Sequence, residues 1–187
     1  MEMLDVYTHD GERTGKLVER GRRYRLSDDE YTMVVHAFLY HRDHGFLIQK
    51  RSATKRVLPG AWCVTMGVVQ AGEDSESGMR REVREELGLE LRDEQIRSCV
   101  RTYNGHKIVD VYLVYIDTEL EDMVLQTEEV EQVCWMSGRE VLSRFGGKNA
   151  KVNEEYLSCM QRYVHVTGKA AKRRRRRQNA KLAKQGN

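Results

Sequence analysis

The sequence predicts a mixed α/β domain in which a sheet lies between helices. Three observations carry that expectation. Short runs rich in β-branched and aromatic residues recur at Tyr31–Tyr40, Phe46–Lys50, Val64–Val69, Ile96–Tyr103, Ile108–Ile116 and Val130–Met136. One stretch, about residues 74 to 87, repeats apolar side chains at helical spacing instead, with Met79, Val83 and Leu87 four apart. Two later helical stretches, about 138–145 and 152–164, complete a pattern of strands interleaved with few helices.

In chain order, residues 3 to 7 read as a short strand turned by His9-Asp10-Gly11, and residues 12 to 30 as irregular. Tyr31–Tyr40 is apolar enough for a buried strand, and His41-Arg42-Asp43-His44-Gly45 turns it into Phe46–Lys50. The His41 and His44 spacing is metal-like, but the tip of a polar turn is their natural place; His36 reads as a satisfied core or pocket histidine. Val64–Val69 leads into the helix, with Asp74 or Ser75 as cap and Gly88 as stop. Asn104-Gly105 marks a hairpin between Ile96–Tyr103 and Ile108–Ile116. Ser137 caps the 138–145 helix and Gly146-Gly147 ends it; Val152, Tyr156 and Met160 share a face of the last one.

At 187 residues the chain suits one domain, placed at 1–165, followed by a basic tail at 166–187 expected to be disordered. The net charge of +3 conceals two unlike parts. Residues 169–187 hold nine Lys and Arg and no acid, which leaves the body formally −6. A solvated end is the plain reading of the tail. The functional one is an anchor for nucleic acid or another polyanion, without the interleaved aromatics that base stacking uses. No apolar run approaches the ~18 residues of a membrane span, and Met1-Glu2-Met3-Leu4-Asp5 shows no signal pattern, so a cytoplasmic location is expected. Cys63, Cys99, Cys134 and Cys159 are far apart and read as buried free thiols.

The chemistry concentrates between Gly67 and Leu89. Glu82, Glu85 and Glu86 fall at i, i+3 and i+4, so a helix points all three from one face. Like charges at that spacing oppose a helix by roughly 0.2–0.5 kcal/mol per pair. A divalent cation turns the repulsion into coordination, and hard oxygen donors suit Mg2+, or Mn2+, better than zinc. Such cations commonly meet substrate phosphates. Gly67 and Gly72 suit a tight loop before the helix.

Gly67, Glu73, Arg81, Glu82, Val83, Glu85, Glu86, Gly88 and Leu89 occupy every specified position of the pattern G-x5-E-x7-R-E-U-x-E-E-x-G-U, with U aliphatic. The segment thus resembles the Nudix box. The loop Leu58-Pro59-Gly60-Ala61-Trp62 and Glu129-Val130 before Trp135 extend the resemblance. It implies an α/β/α sandwich around a mixed β-sheet, and a Mg2+-dependent hydrolase of a nucleoside diphosphate derivative or related organic diphosphate. It implies Glu85 and Glu86 as metal ligands, Glu82 as a further ligand or the base, the Gly67 carbonyl completing the coordination, and Glu73–Arg81 as an orienting salt bridge. A later carboxylate is expected from Glu128, Glu129 or Glu131, with Glu129 preferred because it directly precedes the Val130 strand. Lys50, Arg51 and Arg56 are the candidates for binding substrate phosphate, Arg51 first among them, because the guanidinium fork matches phosphate oxygens. Trp62 reads as core rather than a stacking platform.

Tyr31 to Gly72 most resembles the isopentenyl-diphosphate-isomerase-like branch of that superfamily. Isomerases there need a Cys just before the box and a neighbouring His. Here Met66 and Val68 stand in those places, and a thioether cannot move a proton. Hydrolysis is therefore favoured over isomerisation. A nucleotide-sensing binding module is the non-enzyme alternative, and it commonly lacks box glutamates that this chain keeps. Which glutamate is the base, and the oligomeric state, are not written in the sequence.

Overall fold

The computed structural model describes residues 2–146 and 152–185, with side chains as far as Ala170. Its strands are β1 (Met3–Tyr7), β2 (Arg13–Glu19), β3 (Thr32–His41), β4 (Gly45–Arg51), β5 (Trp62–Cys63), β6 (Thr65–Val68), β7 (Ile96–Tyr103), β8 (Lys107–Ile116) and β9 (Val130–Met136). Its helices are α1 (Ser75–Leu87), α2 (Gly138–Phe145) and α3 (Glu154–Gln185).

The sheet is mixed. β3 and β8 run parallel over ten residues, from Thr32↔Lys107 to His41↔Ile116, while the other pairings are antiparallel. Strand β3 pairs with β4 only beside their turn, at Tyr40↔Phe46 and His41↔Gly45. Beyond that point the two part and the 62–68 segment enters between them, β5 on β4 and β6 on β3. The single strand expected over 64–69 is thus divided at Val64, because one segment serves two partners. This wedge sets Gly67 opposite Val35, directly under α1.

Strand alternation sorts β3 into two cores. Met33, Val35, Ala37 and Leu39 pack with Met79, Val83 and Leu87 of α1. Phe38 and Tyr40 pack on the other face with Val141 of α2 and Cys159, Met160 and Tyr163 of α3. The result is the helix–sheet–helix sandwich. Each fully buried Leu, Val or Met contributes about 1.5–3 kcal/mol, so the α1 stripe fastens the acidic helix firmly to the sheet.

Two expectations are corrected. Residues 13–19 are a strand, not irregular: β2 has almost no apolar alternation, but pairing with β1 supplies its hydrogen bonds and buries Val18. The last helix starts at Glu154 and its backbone stays helical to Gln185. Ala, Lys, Arg and Gln are strong helix formers, and like-charge repulsion costs only tenths of a kcal/mol per pair. Thr167 of this helix is buried, its carbonyl accepting the Tyr40 hydroxyl at 3.5 Å. Of the four free thiols, Cys63 and Cys159 are buried, whereas Cys99 is exposed on β7, which has a sheet neighbour on one side only. Gly147 lies outside the described residues. Among those described, no helix is long and apolar enough to cross a membrane.

Candidate active site

Helix α1 is built to hold its acids still. Asp74 caps it, its carboxylate accepting the Ser77 N–H at 2.7 Å, and Gly88 ends it at φ 70° with its N–H on the Arg84 carbonyl. The last carbonyls of α1 also hold a distant loop: Val124 and Gln126 donate their N–H groups to Leu87 and Glu86 at 3.1 and 3.2 Å. That docking brings Gln126 and Glu129 beside the helix.

Glu82, Glu85, Glu86, Gly67, Gln126 and Glu129 line one open cleft of about 350 Å3, with Arg51, Lys55 and Arg20 on its walls. Each carboxylate is steered through one oxygen. Glu82 and Glu85 accept from Arg81 at 2.8 and 3.1 Å, Glu86 from Gln49 at 2.7 Å, and Glu129 from Lys55. In all four, the other oxygen has no donor among the described residues. Arg81 also grips Glu73 through two bonds, 2.7 and 3.1 Å, and donates to the Val68 carbonyl at 2.8 Å, tying the loop to the helix.

The electrostatics match a cation site. Glu86 is only 3 % exposed, and its carboxyl is pushed up to about 7 by burial, with Glu82 and Glu129 adding like-charge repulsion. Burial raises Glu82 as well, against the pull of Arg81. In both acids burial outweighs the donors they already have, and a hard divalent cation would supply the missing positive charge. The donor set is all oxygen. Mg2+ or Mn2+ therefore fits the residues present, and the Gly67 backbone lies at the same cleft. Gly67 is glycine for room: a Cβ there would lie 1.9 Å from the Glu82 carboxyl carbon.

Two expected phosphate ligands are not brought to the cleft. Along β4, Gln49 and Arg51 face the site, so alternation turns Lys50 away, where it pairs with Glu131 at 2.6 Å. Arg56 is not among the cleft residues; Lys55 is. Gln49 escaped the sequence reading. It is 1 % exposed and links Thr65, whose hydroxyl donates to its Oε1 at 2.9 Å, to Glu86. A glutamine in an apolar strand was the only signal. Trp62 is half-buried under the Arg144 guanidinium.

At the far end of β3, His44 lies 2.9 Å from Glu119 and stacks on both His41 and Trp135. Nδ1 of His41 accepts the Asp43 N–H at 3.2 Å, which leaves the proton on Nε2 facing Glu119. That tautomer suits a hydrogen-bonded turn rather than an imidazole ligand.

Residues 30–156 match the NUDIX domain model. An uncharacterised Nudix hydrolase of Listeria innocua is 34 % identical over 138 residues, 73 % of this chain and 80 % of its own. The nucleoside triphosphatase NudI of Escherichia coli is 28 % identical over 114 residues, 56 % of this chain and 81 % of its own. A crystal structure of DR0079 from Deinococcus radiodurans superposes with a TM-score of 0.67 at 24 % identity, covering 86 % of this chain and 98 % of that one, which is a likeness of fold.

Proposed function

Since the chain belongs to the Nudix hydrolase family, a family of pyrophosphate-hydrolysing enzymes, we propose that it is a Mg2+-dependent hydrolase of the phosphoanhydride bond in a nucleoside diphosphate derivative or related organic diphosphate. The observation that carries this reading is the convergence of four carboxylates, each with one oxygen unclaimed, beside Arg51 and Lys55. Glu85 and Glu86 would hold the cation, with Glu129 and the Gly67 carbonyl completing the set, and Glu82 would be a further ligand or the base. A bound divalent ion supplies electrophilic polarisation of the phosphoryl oxygens and lowers the pKa of water.

The protein's own groups do the rest. A cleft carboxylate not engaged in coordination takes the proton from the attacking water. Arg51 and Lys55 offset the charge that gathers on the leaving phosphate. Arg81 does not meet substrate in this reading; it positions Glu82 and Glu85 against Glu73. Met66 lines the cleft, where the isomerases that this segment resembles carry their Cys. Its thioether leaves the site without that acid–base group, which supports hydrolysis. The NudI name of one relative fits a nucleotide substrate. The basic segment 169–187 serves, at most, as a separate contact for nucleic acid.

The test is a screen of nucleotide and organic diphosphates with Mg2+, following phosphate release and product mass. Glu86→Gln is expected to lower turnover by at least 100-fold while the melting temperature holds. Wild-type turnover in that variant, or no hydrolysis of any diphosphate by the native protein, would sink the assignment.

A further inference from the structure

Two buried polar side chains stand behind the acidic helix without lining the cleft. Gln49 is 1 % exposed and Thr65 3 %, and neither is among the residues around the carboxylates. They sit on the two sides of the wedge. Gln49 belongs to β4, where it lies opposite Cys63 of β5 and Val133 of β9. Thr65 belongs to β6 and lies opposite Ala37 of β3. Strands β4 and β6 are not paired with each other. The Thr65–Gln49 hydrogen bond of 2.9 Å is therefore a side-chain stitch across the gap.

The stitch has a direction. An ionised carboxylate only accepts, so the Gln49 amide turns Nε2 to Glu86, at 2.7 Å, and Oε1 to Thr65, whose hydroxyl donates. An amide buried this deeply is costly unless both its ends are used, and a methionine would fill the same strand position without that demand. Here the amide occupies Oε2 of Glu86 while leaving the carboxylate's charge whole. A lysine or arginine in its place would neutralise that charge and compete with a cation. Only Oε1 of Glu86 remains for the cleft.

Mg2+ is bound through few carboxylates, keeps several waters and demands near-ideal octahedral geometry. Ca2+ takes about six to eight oxygens and readily grips a carboxylate by both of its own. Resting on the cation site of the hydrolase reading above, we propose that Gln49 and Thr65 are positioning residues that set metal selectivity: by holding Glu86 to a single free oxygen, they favour Mg2+ or Mn2+ over Ca2+. Thr65 acts through Gln49, and Gln49 through Glu86. Arg81 and Lys55 hold the other acids but line the cleft themselves.

The experiment measures Mg2+, Mn2+ and Ca2+ binding to the full chain by calorimetry, with steady-state hydrolysis in parallel. Gln49→Met keeps the volume and removes the amide. Thr65→Val keeps the shape and removes the donor, and Thr65→Ser restores the donor. Groups that orient metal ligands are worth about 10- to 100-fold in affinity or activity. The ratio of Ca2+ to Mg2+ dissociation constants should therefore fall about tenfold in Gln49→Met, and in the same direction in Thr65→Val. In both, kcat should fall with KM unchanged for the diphosphate that the native protein cleaves. Thr65→Ser should return the wild-type ratio, and the double variant Gln49→Met/Thr65→Val should match Gln49→Met alone, since the two residues act in series. If Gln49→Met fails to fold, Thr65→Val against Thr65→Ser carries the same test. A wild-type ratio in either folded variant, additive effects in the double variant, or Thr65→Ser behaving as Thr65→Val would overturn the inference while leaving the hydrolase intact. If no diphosphate is cleaved, the hydrolase reading fails by itself and the binding ratios still decide this one. A native protein that binds no divalent cation overturns both.

Discussion

Gly67→Ala isolates the placement of one carboxylate. The new Cβ would stand 1.9 Å from the Glu82 carboxyl carbon and 2.1 and 2.3 Å from its oxygens. Ordinary carbon–carbon contact is about 3.5 Å, so the carboxylate must retreat by roughly 1.5 Å. It cannot do so freely: Glu82 is only 9 % exposed and is held by Arg81 at 2.8 Å. Overpacking of this kind costs about 1–3 kcal/mol of stability. Catalysis should suffer more, since a displacement of about 1 Å in a reacting group costs on the order of 100-fold. We therefore expect kcat/KM to fall about 100-fold, Mn2+ affinity by calorimetry to drop with it, and the protein to remain folded by circular dichroism. Activity within threefold of wild type, in a folded Gly67→Ala protein, would refute the reasoning that Glu82 must occupy that position.

Three further outcomes are expected. Arg81→Met strands Glu73 and Glu82 in a half-buried site and should cost about 3 kcal/mol in urea unfolding, as breaking a buried pair does. His36 is held neutral in the fold, its pKa about 4 against 6.5 when exposed, so the unfolded chain takes up a proton first as pH falls. The stability this contributes is complete above pH 6.5 and shrinks toward pH 4, by roughly 2 kcal/mol at pH 5; the denaturation midpoint of His36→Gln should depend less on pH over that range. Deleting residues 171–187 should leave hydrolysis of small diphosphates unchanged, since the carboxylates and basic side chains that line the described cleft come from residues 2 to 129.

Much of the architecture was legible because its signals are local. The Asp74 cap, the Met79–Val83–Leu87 stripe and the Gly88 stop set α1 within a few residues of its observed ends. Strand β2 was not legible: its strand form comes from its partner, Leu4 and Asp5 lying opposite Val18 and Leu17. The division of the 62–68 segment between β4 and β3 is likewise a matter of neighbours. In the candidate site, the spacing of Glu82, Glu85 and Glu86 announced one shared face, and helical periodicity delivered it. Lys50 misled because adjacent basic residues look equivalent in a string, yet in a strand they point to opposite sides.

By itself, then, the sequence determined the acidic helix, its caps, the glycine before it and the family to which the chain belongs. Each of those is a short-range fact, decided by spacing along one element. Only the tertiary structure decided that Gln49 would hold Glu86 and that the Gln126–Glu129 loop would dock on the end of α1. Those contacts join residues dozens of positions apart, and they exist because sheet pairing and helix packing bring distant elements together.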